Sequence, residues 1–250
     1  MFYTIIISLV IIVLGIIIIP PFIVIPIIAR FKIRMPRDSG LLLMDTAYLP
    51  KYVAQLLSQV TYVLKSLGFE AVADVFEPEH EPAMSTTYFR LFVNQTEKDM
   101  AVTIISLGNS GQEKRVTNAY VEFCTHFSTD NKISTNNNGM PPVFKDVPES
   151  RIFRFPGEQD MGTLYNIHQQ KVSEFIGEAE NRLPREGGEL DYLRDSLIRE
   201  MDLQLKTGYL YFDESADAYR PTWKGAFLMM WKSAIGAVRM KYRQKKEARS

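Results

Sequence analysis

The sequence predicts an α+β fold: an N-terminal transmembrane helix, then a helix plus an antiparallel β-meander of about five strands, then a helical C-terminal part with a small hairpin. Three observations predict it. No charged side chain precedes Arg30, although the chain carries 29 basic and 29 acidic residues. Between residues 69 and 135, short strand-like segments are separated by turn residues. After residue 158, apolar residues recur at three- and four-residue spacing, which is the helical period.

Thr4 to Ile19 reads TIIISLVIIVLGIIII, and the apolar run continues through Ile28, interrupted by Pro20, Pro21 and Pro26. A span needs about 20 apolar residues to cross a hydrocarbon core of ~30 Å, so residues 1–29 are expected to be a single-pass membrane anchor. The prolines lack an amide donor and predict a kink or stop near residues 20–26. A cleaved signal peptide is disfavoured, because Met-Phe-Tyr supplies no basic start and no A-x-A site follows. Arg30, Lys32, Arg34 and Arg37 follow the run directly. The positive-inside bias puts them, and the domain after them, in the cytoplasm with the N-terminus outside. Residues 30–49 then form a basic juxtamembrane linker. The lone Cys124 forms no internal disulfide, which fits a reducing compartment. A net charge of zero gives no global attraction to nucleic acid.

Residues 50–157 are expected to form an α+β antiparallel sheet domain. Pro50 to Leu67 is a helix, with Val53, Leu56, Leu57, Val60, Val63, Leu64 and Leu67 recurring at helical spacing and Gly68 as its C-terminal stop. Strands follow at 69–76, 86–94, 100–107, 115–127 and 132–135, with one more short strand at 151–155. Their short links imply antiparallel pairing. Asn94-Gln95-Thr96 is formally a glycosylation sequon, read here as turn chemistry. Residues 158–250 form a helical C-terminal region, with helices at 160–180, 189–205 and 221–246 and a hairpin at 208–220.

Glu122, Cys124 and His126 alternate along one strand and so point to one face. A carboxylate, thiol and imidazole together suggest a metal site or an activated nucleophile. No second pair at metal-ligand spacing accompanies them, no nucleotide or cofactor motif occurs, and no cofactor is expected. His80, in an acidic Pro-containing stretch, reads as part of a solvated loop, and His168 as a packing residue of its helix. The run Thr135 to Gly139, with three asparagines, favours positive φ and local hydrogen bonds and reads as a long hairpin connection.

The last helix is amphipathic, with Phe227, Trp231, Ala234, Ile235, Val238 and Tyr242 on one face. Its end carries Arg239, Lys241, Arg243, Lys245 and Lys246, a basic tail suited to anionic lipid. Before it, a helix, a hairpin and Tyr219-Arg220-Pro221-Thr222-Trp223-Lys224-Gly225 follow one another. This order resembles the closing part of winged-helix domains, with a wing-like hairpin. Five acids against three bases over Glu189 to Lys206 would repel phosphates, so nucleic acid is a disfavoured partner.

Tyr120 through Asn138 to Phe155-Pro156, and Tyr219 to Ala226 with Trp231, resemble an uncharacterised bacterial family of N-terminally membrane-anchored proteins with no assigned activity. The resemblance implies a bacterial inner-membrane setting and carries over no catalytic residue. Three readings of function stay open on the sequence. The first is a membrane-tethered cytoplasmic, non-enzymatic binding module with a protein partner or ligand. The second is an enzyme with its site near Cys124 and His126, which a deep pocket there would favour. The third is a membrane-tethered winged-helix-like regulator.

Overall fold

A computed structural model describes Tyr3, Gly15 and residues 20–78, 85–110, 113–175 and 180–247. Most of the expected transmembrane helix, His80 and the end of the helix expected to reach residue 180 lie outside the described residues. Among the described residues, no helix is long and apolar enough to cross a membrane. The fold is α+β, with a long, mostly antiparallel sheet. Its α-helices are α1 (Ile25–Lys32), α2 (Lys51–Ser66), α3 (Met161–Phe175), α4 (Glu189–Lys206) and α5 (Trp223–Glu247). Its strands begin with β1 (Met35–Pro36), β2 (Leu42–Leu43), β3 (Glu70–Glu77), β4 (Ser85–Asn94), β5 (Asp99–Ser110) and β6 (Glu113–Phe127). They continue with β7 (Lys132–Asn136), β8 (Ser150–Arg154), β9 (Asn181–Arg182), β10 (Leu210–Asp213) and β11 (Ala218–Pro221). Two compact units result, one of Asp38–Gly139 with Asp146–Glu200, the other of Met1–Arg37, Met140–Lys145 and Met201–Ser250.

The first unit is built on an eight-stranded sheet in the order β2-β3-β4-β5-β6-β7-β8, with β9 paired to the end of β6. The meander expected from short links is present from β3 to β7. β8 departs from it and runs parallel to β7. The long connection 137–149 permits this, since a parallel neighbour needs a crossover rather than a tight turn. The asparagine run is therefore not a hairpin, and none of its asparagines has positive φ. Asn137 instead extends the sheet with its side chain. Its Oδ1 accepts from the Val121 amide at 2.9 Å, and its Nδ2 donates to the Glu158 carbonyl at 3.1 Å. Residues 35–46, expected as linker, contribute the short strands β1 and β2, with β2 covering the β3 edge.

Both faces of this sheet are covered. On one face, α2 and α3 bury Leu64, Phe69, Phe92, Val121, Phe123 and Leu164. Phe69, Phe123 and Tyr165 pack there at centroid distances of 5.0–5.5 Å, and each fully buried ring of this size contributes about 1.5–3 kcal/mol. Helix α2 ends at Gly68 (φ +87°), where a side chain would be strained. Asn94 holds that end by donating to the Leu67 carbonyl at 3.2 Å, while its Oδ1 accepts from the amides of Thr96 and Glu97. Asn94 of the sequon is thus a buried turn device, with Gln95 and Thr96 exposed. Arg90 and Asp74, cross-strand partners, form a bidentate ion pair at 2.6 and 2.7 Å. Thr46 and Thr61 join it, so the pair ties the segment before α2, α2 itself and two strands together.

A buried polar chain locks α3 to the sheet. Thr125 donates its hydroxyl proton to Asp99 at 2.6 Å, so its oxygen can only accept from His168 Nε2 at 2.9 Å. Burial keeps the ring neutral, so the Nδ1 of His168 is bare and accepts from Thr135 at 3.0 Å. These directions leave one arrangement, a neutral imidazole protonated at Nε2. Tyr165 and Gln169 complete the donors to Asp99. His168, read from sequence as packing, is fully buried and bound at both nitrogens.

In the second unit the expected kink or stop at the prolines is not tested, because most of the run before Pro20 lies outside the described residues. Pro20–Val24 winds as a π-helical turn that runs on through the helical Val24 into α1, which has Pro26 in its first turn. Strands β1, β11 and β10 make a small three-stranded sheet that includes the expected hairpin. Tyr209, Leu210, Tyr219 and Met229 form its core. The Tyr-x-x-Thr-x-x-Gly segment has a packing explanation. Tyr219 donates to Asp202 at 2.9 Å. The Thr222 hydroxyl donates to the Gly208 carbonyl at 2.8 Å and accepts from the Gly225 amide at 2.9 Å, which caps α5. Gly225 has no room for a side chain, because a Cβ would overlap the Tyr209 carbonyl oxygen. Gly225→Ala should therefore destabilise this unit by about 1–3 kcal/mol through overpacking. Hydrogen exchange at Tyr209 and Ala226 should report the loss, and unchanged protection there would refute the close-contact explanation.

Candidate functional site

Strand parity assembles the candidate site in the sheet unit. On β6, Tyr120, Glu122, Cys124 and His126 share the face opposite α3. Register places Met100 beside Cys124, Val102 beside Glu122 and Ile104 beside Tyr120. On the other side, Ser134 lies beside Cys124, Asn136 beside Glu122 and Lys132 beside His126. Helix α4 covers this patch with Leu190, Tyr192 and Leu193. Between the helix and the sheet remains a cavity of about 170 Å³, lined among others by Phe89, Met100, Cys124, Lys132 and Tyr192. A second cavity of about 310 Å³ shares His126, Tyr192 and Ser196 with it and reaches Asp130, Arg182, Asp195 and Arg199.

The structure brings Glu122, Cys124 and His126 together on one cavity wall, and burial sets their chemistry. The Cys124 thiol donates to Glu122 Oε1 at 3.3 Å and lies 3.4 Å from the Ser134 hydroxyl. Burial, reinforced by the Glu122 carboxylate, raises the thiol far above its usual range, so it stays protonated at neutral pH. Burial pulls His126 down to about 3, with Lys132, Arg199 and Arg182 adding to the effect. Its imidazole is neutral and packs 5.0 Å from the Tyr192 ring. A protonated thiol is a poor nucleophile, and an imidazole so depressed is a weak base. Among the described residues, no group of three His, Cys, Asp or Glu side chains converges as metal ligands.

Two cavity groups were not visible as site residues in the sequence. Lys132 is half-buried. Burial lowers its ammonium, but the opposing charges, Glu122 first, outweigh this and hold it above its ordinary value. The Tyr192 hydroxyl is buried and has no hydrogen-bond partner among the described residues. Strand pairing could have suggested Lys132, which faces His126 across a tight turn. Nothing local in α4 indicates which strand Tyr192 will cover. Glu122 is already engaged, with Asn136 donating to its Oε2 at 2.9 Å.

The basic residues expected to flank the membrane divide. Lys32, Arg34 and Arg37 are exposed, whereas Arg30 lies over the Tyr211 ring at 4.5 Å and donates to its hydroxyl at 2.8 Å. The side chains of Arg239, Lys241, Arg243, Lys245 and Lys246, the expected lipid-facing tail of α5, lie outside the described residues.

Two measurements follow from the buried groups. Cys124 should resist iodoacetamide in the folded protein and react once denaturant is added, and rapid native alkylation would contradict its burial. The histidines give an acid limb. Both imidazoles titrate near 6.5 when unfolded and near about 3 when folded. Their folded values are depressed, so their stability is fully present above pH about 6.5 and is lost as pH falls towards about 3. The slope is at most about 1.4 kcal/mol per pH unit for each histidine. Asp99, raised by burial, acts with the opposite sign, its contribution being present below 3.8 and lost as pH rises through its folded value. The denaturation midpoint should fall below pH about 6.5, less steeply in His126→Gln and in His168→Gln. An unchanged slope in both would overturn the neutral assignment. No protein-family model, curated protein or solved structure matches the chain.

Proposed function

We propose that this chain is a membrane-tethered binding module, anchored in the bacterial inner membrane by its N-terminal segment, with its sheet unit on the cytoplasmic side. The observation that carries the tether is apolar surface facing water in the unit that continues the N-terminal run. Phe22, Ile23, Ile28 and Phe31 are 41–59% exposed, and Trp223, Phe227 and Trp231 are 44–50% exposed. Phe22 meets Trp231 at 5.3 Å and Phe31 meets Trp223 at 5.9 Å, beside an apolar groove of about 340 Å³. Such aromatic and aliphatic surface is unfavourable in water and suits the lipid interface, where tryptophan concentrates. The exposed Lys32, Arg34 and Arg37 follow at once, the pattern of a cytoplasmic flank.

The cavity between the sheet and α4 supports binding of a ligand. A cavity beside Cys124 and His126 is also the observation that favours an enzyme. Binding is the better reading, because burial holds the thiol protonated and the imidazole neutral, leaving neither suited to attack or proton transfer.

Alkaline carbonate extraction and thiol labelling test the tether. The protein should stay in the membrane pellet. Glu149→Cys in a Cys124→Ser background should be protected from an impermeant maleimide in intact cells and labelled after lysis. Release by carbonate would overturn the tether, and labelling in intact cells would overturn the orientation.

A further inference from the structure

Resting on the binding reading of the sheet unit, we infer that the cavity under α4 takes a small organic anion: a compact apolar body of about six to eight carbons bearing one carboxylate. Size comes first. The cavity's 170 Å³ is close to the roughly 150 Å³ of an apolar cavity that accepts benzene. Its walls match such a body, with Phe89, Met100, Val102 and Ile104 from the sheet and Leu193 and Leu197 from the helix.

Charge and hydrogen bonding select the head group. Two donors open onto this apolar space without an acceptor. The Tyr192 hydroxyl is buried and unpartnered. No side chain among the described residues hydrogen-bonds or ion-pairs with the Lys132 ammonium, although the Glu122 and Glu200 carboxylates act on it at longer range. Paired donors in an apolar setting favour an acceptor, and an ammonium favours a charged one. A cationic ligand would meet Lys132 and find Glu122 already bound by Asn136 and Cys124. A neutral ligand would satisfy Tyr192 and leave the ammonium with only the longer-range Glu122 and Glu200 carboxylates.

The adjoining cavity supplies an approach. Arg182 and Arg199 both reach Asp130, at 3.2 and 3.3 Å, so one carboxylate is shared by two guanidinium groups. Asp195 is the other acid of that cavity. With Asp195 counted, two guanidinium groups face two carboxylates, so this approach is polar and carries no net charge.

The test uses the full chain in lipid nanodiscs with ¹³C-methyl methionine, following the Met100 methyl, assigned by its loss in Met100→Leu. The probes are benzoate and its neutral analogue benzyl alcohol, which share the ring and differ in charge. Benzoate should shift the Met100 signal saturably and bind at least about tenfold more tightly than benzyl alcohol. Lys132→Gln should remove most of that preference while leaving benzyl alcohol binding in place, which also shows that the cavity persists. Tyr192→Phe should weaken benzoate several-fold. If benzyl alcohol binds saturably but benzoate is no tighter, or if Lys132→Gln leaves the preference intact, the anion assignment fails and the binding reading stands. If neither probe binds saturably, both fail. The comparison of the two probes on the unaltered chain decides the matter even if a variant does not fold.

Discussion

Burial of the second half of strand β6, Val121 to Phe127, on both faces is the constraint on which the rest of the sheet unit depends. A strand with one face in water tolerates a shift of register, because half of its side chains are indifferent to their surroundings. In β6 no such latitude exists. Val121, Phe123 and Thr125 lie under α2 and α3, while Glu122, Cys124 and His126 lie under α4. A slip of one residue would place Glu122 and His126 in the aromatic core and Phe123 in the cavity. The polar chain through Asp99, Thr125, His168 and Thr135 adds a second lock, since each hydroxyl has one proton and the bond directions admit one tautomer.

The two buried histidines show how context separates residues of the same type. His168 is held by two threonines and fixes a helix to the sheet. His126 borders a cavity, tilted against Tyr192 and surrounded by Lys132, Arg182 and Arg199. Desolvation makes both neutral, but only His126 faces space that a ligand can enter. The same desolvation protonates Cys124, so a carboxylate, thiol and imidazole that look catalytic in a one-dimensional pattern become the wall of a pocket. The Tyr192 hydroxyl there has no hydrogen-bond partner among the described residues, and Lys132 is held only at longer range by Glu122 and Glu200.

The other unit rests on a different balance. Its interior is small, with Tyr209 and Tyr219 buried against Leu210 and Met229, and close backbone approach at Gly225 fastens α5 to the hairpin. Its outer aromatic and aliphatic side chains face water to an extent that burial within this unit does not remedy. Arg30 illustrates the division of labour among its cations. Its guanidinium is occupied by the Tyr211 ring and hydroxyl, whereas Lys32, Arg34 and Arg37 remain outside.

Local pattern in the sequence determined a great deal: the α+β class, the helices starting near residues 50, 160, 189 and 221, the strands of the meander, the hairpin, and the shared face of Glu122, Cys124 and His126. Each is a property of one element, because side-chain parity and helical period record which side of that element leaves water. The tertiary structure alone decided that β8 runs parallel, that the asparagines serve as buried bridges, that the chain is interleaved between two units, and that α4 rather than another helix roofs the cavity. Those outcomes depend on contacts between distant segments; Arg30 and Tyr211 meet although 181 positions apart. The state of the candidate site belongs to the same class, because a thiol or imidazole is shifted by the whole volume that excludes water around it, and no spacing along a single strand encodes that volume.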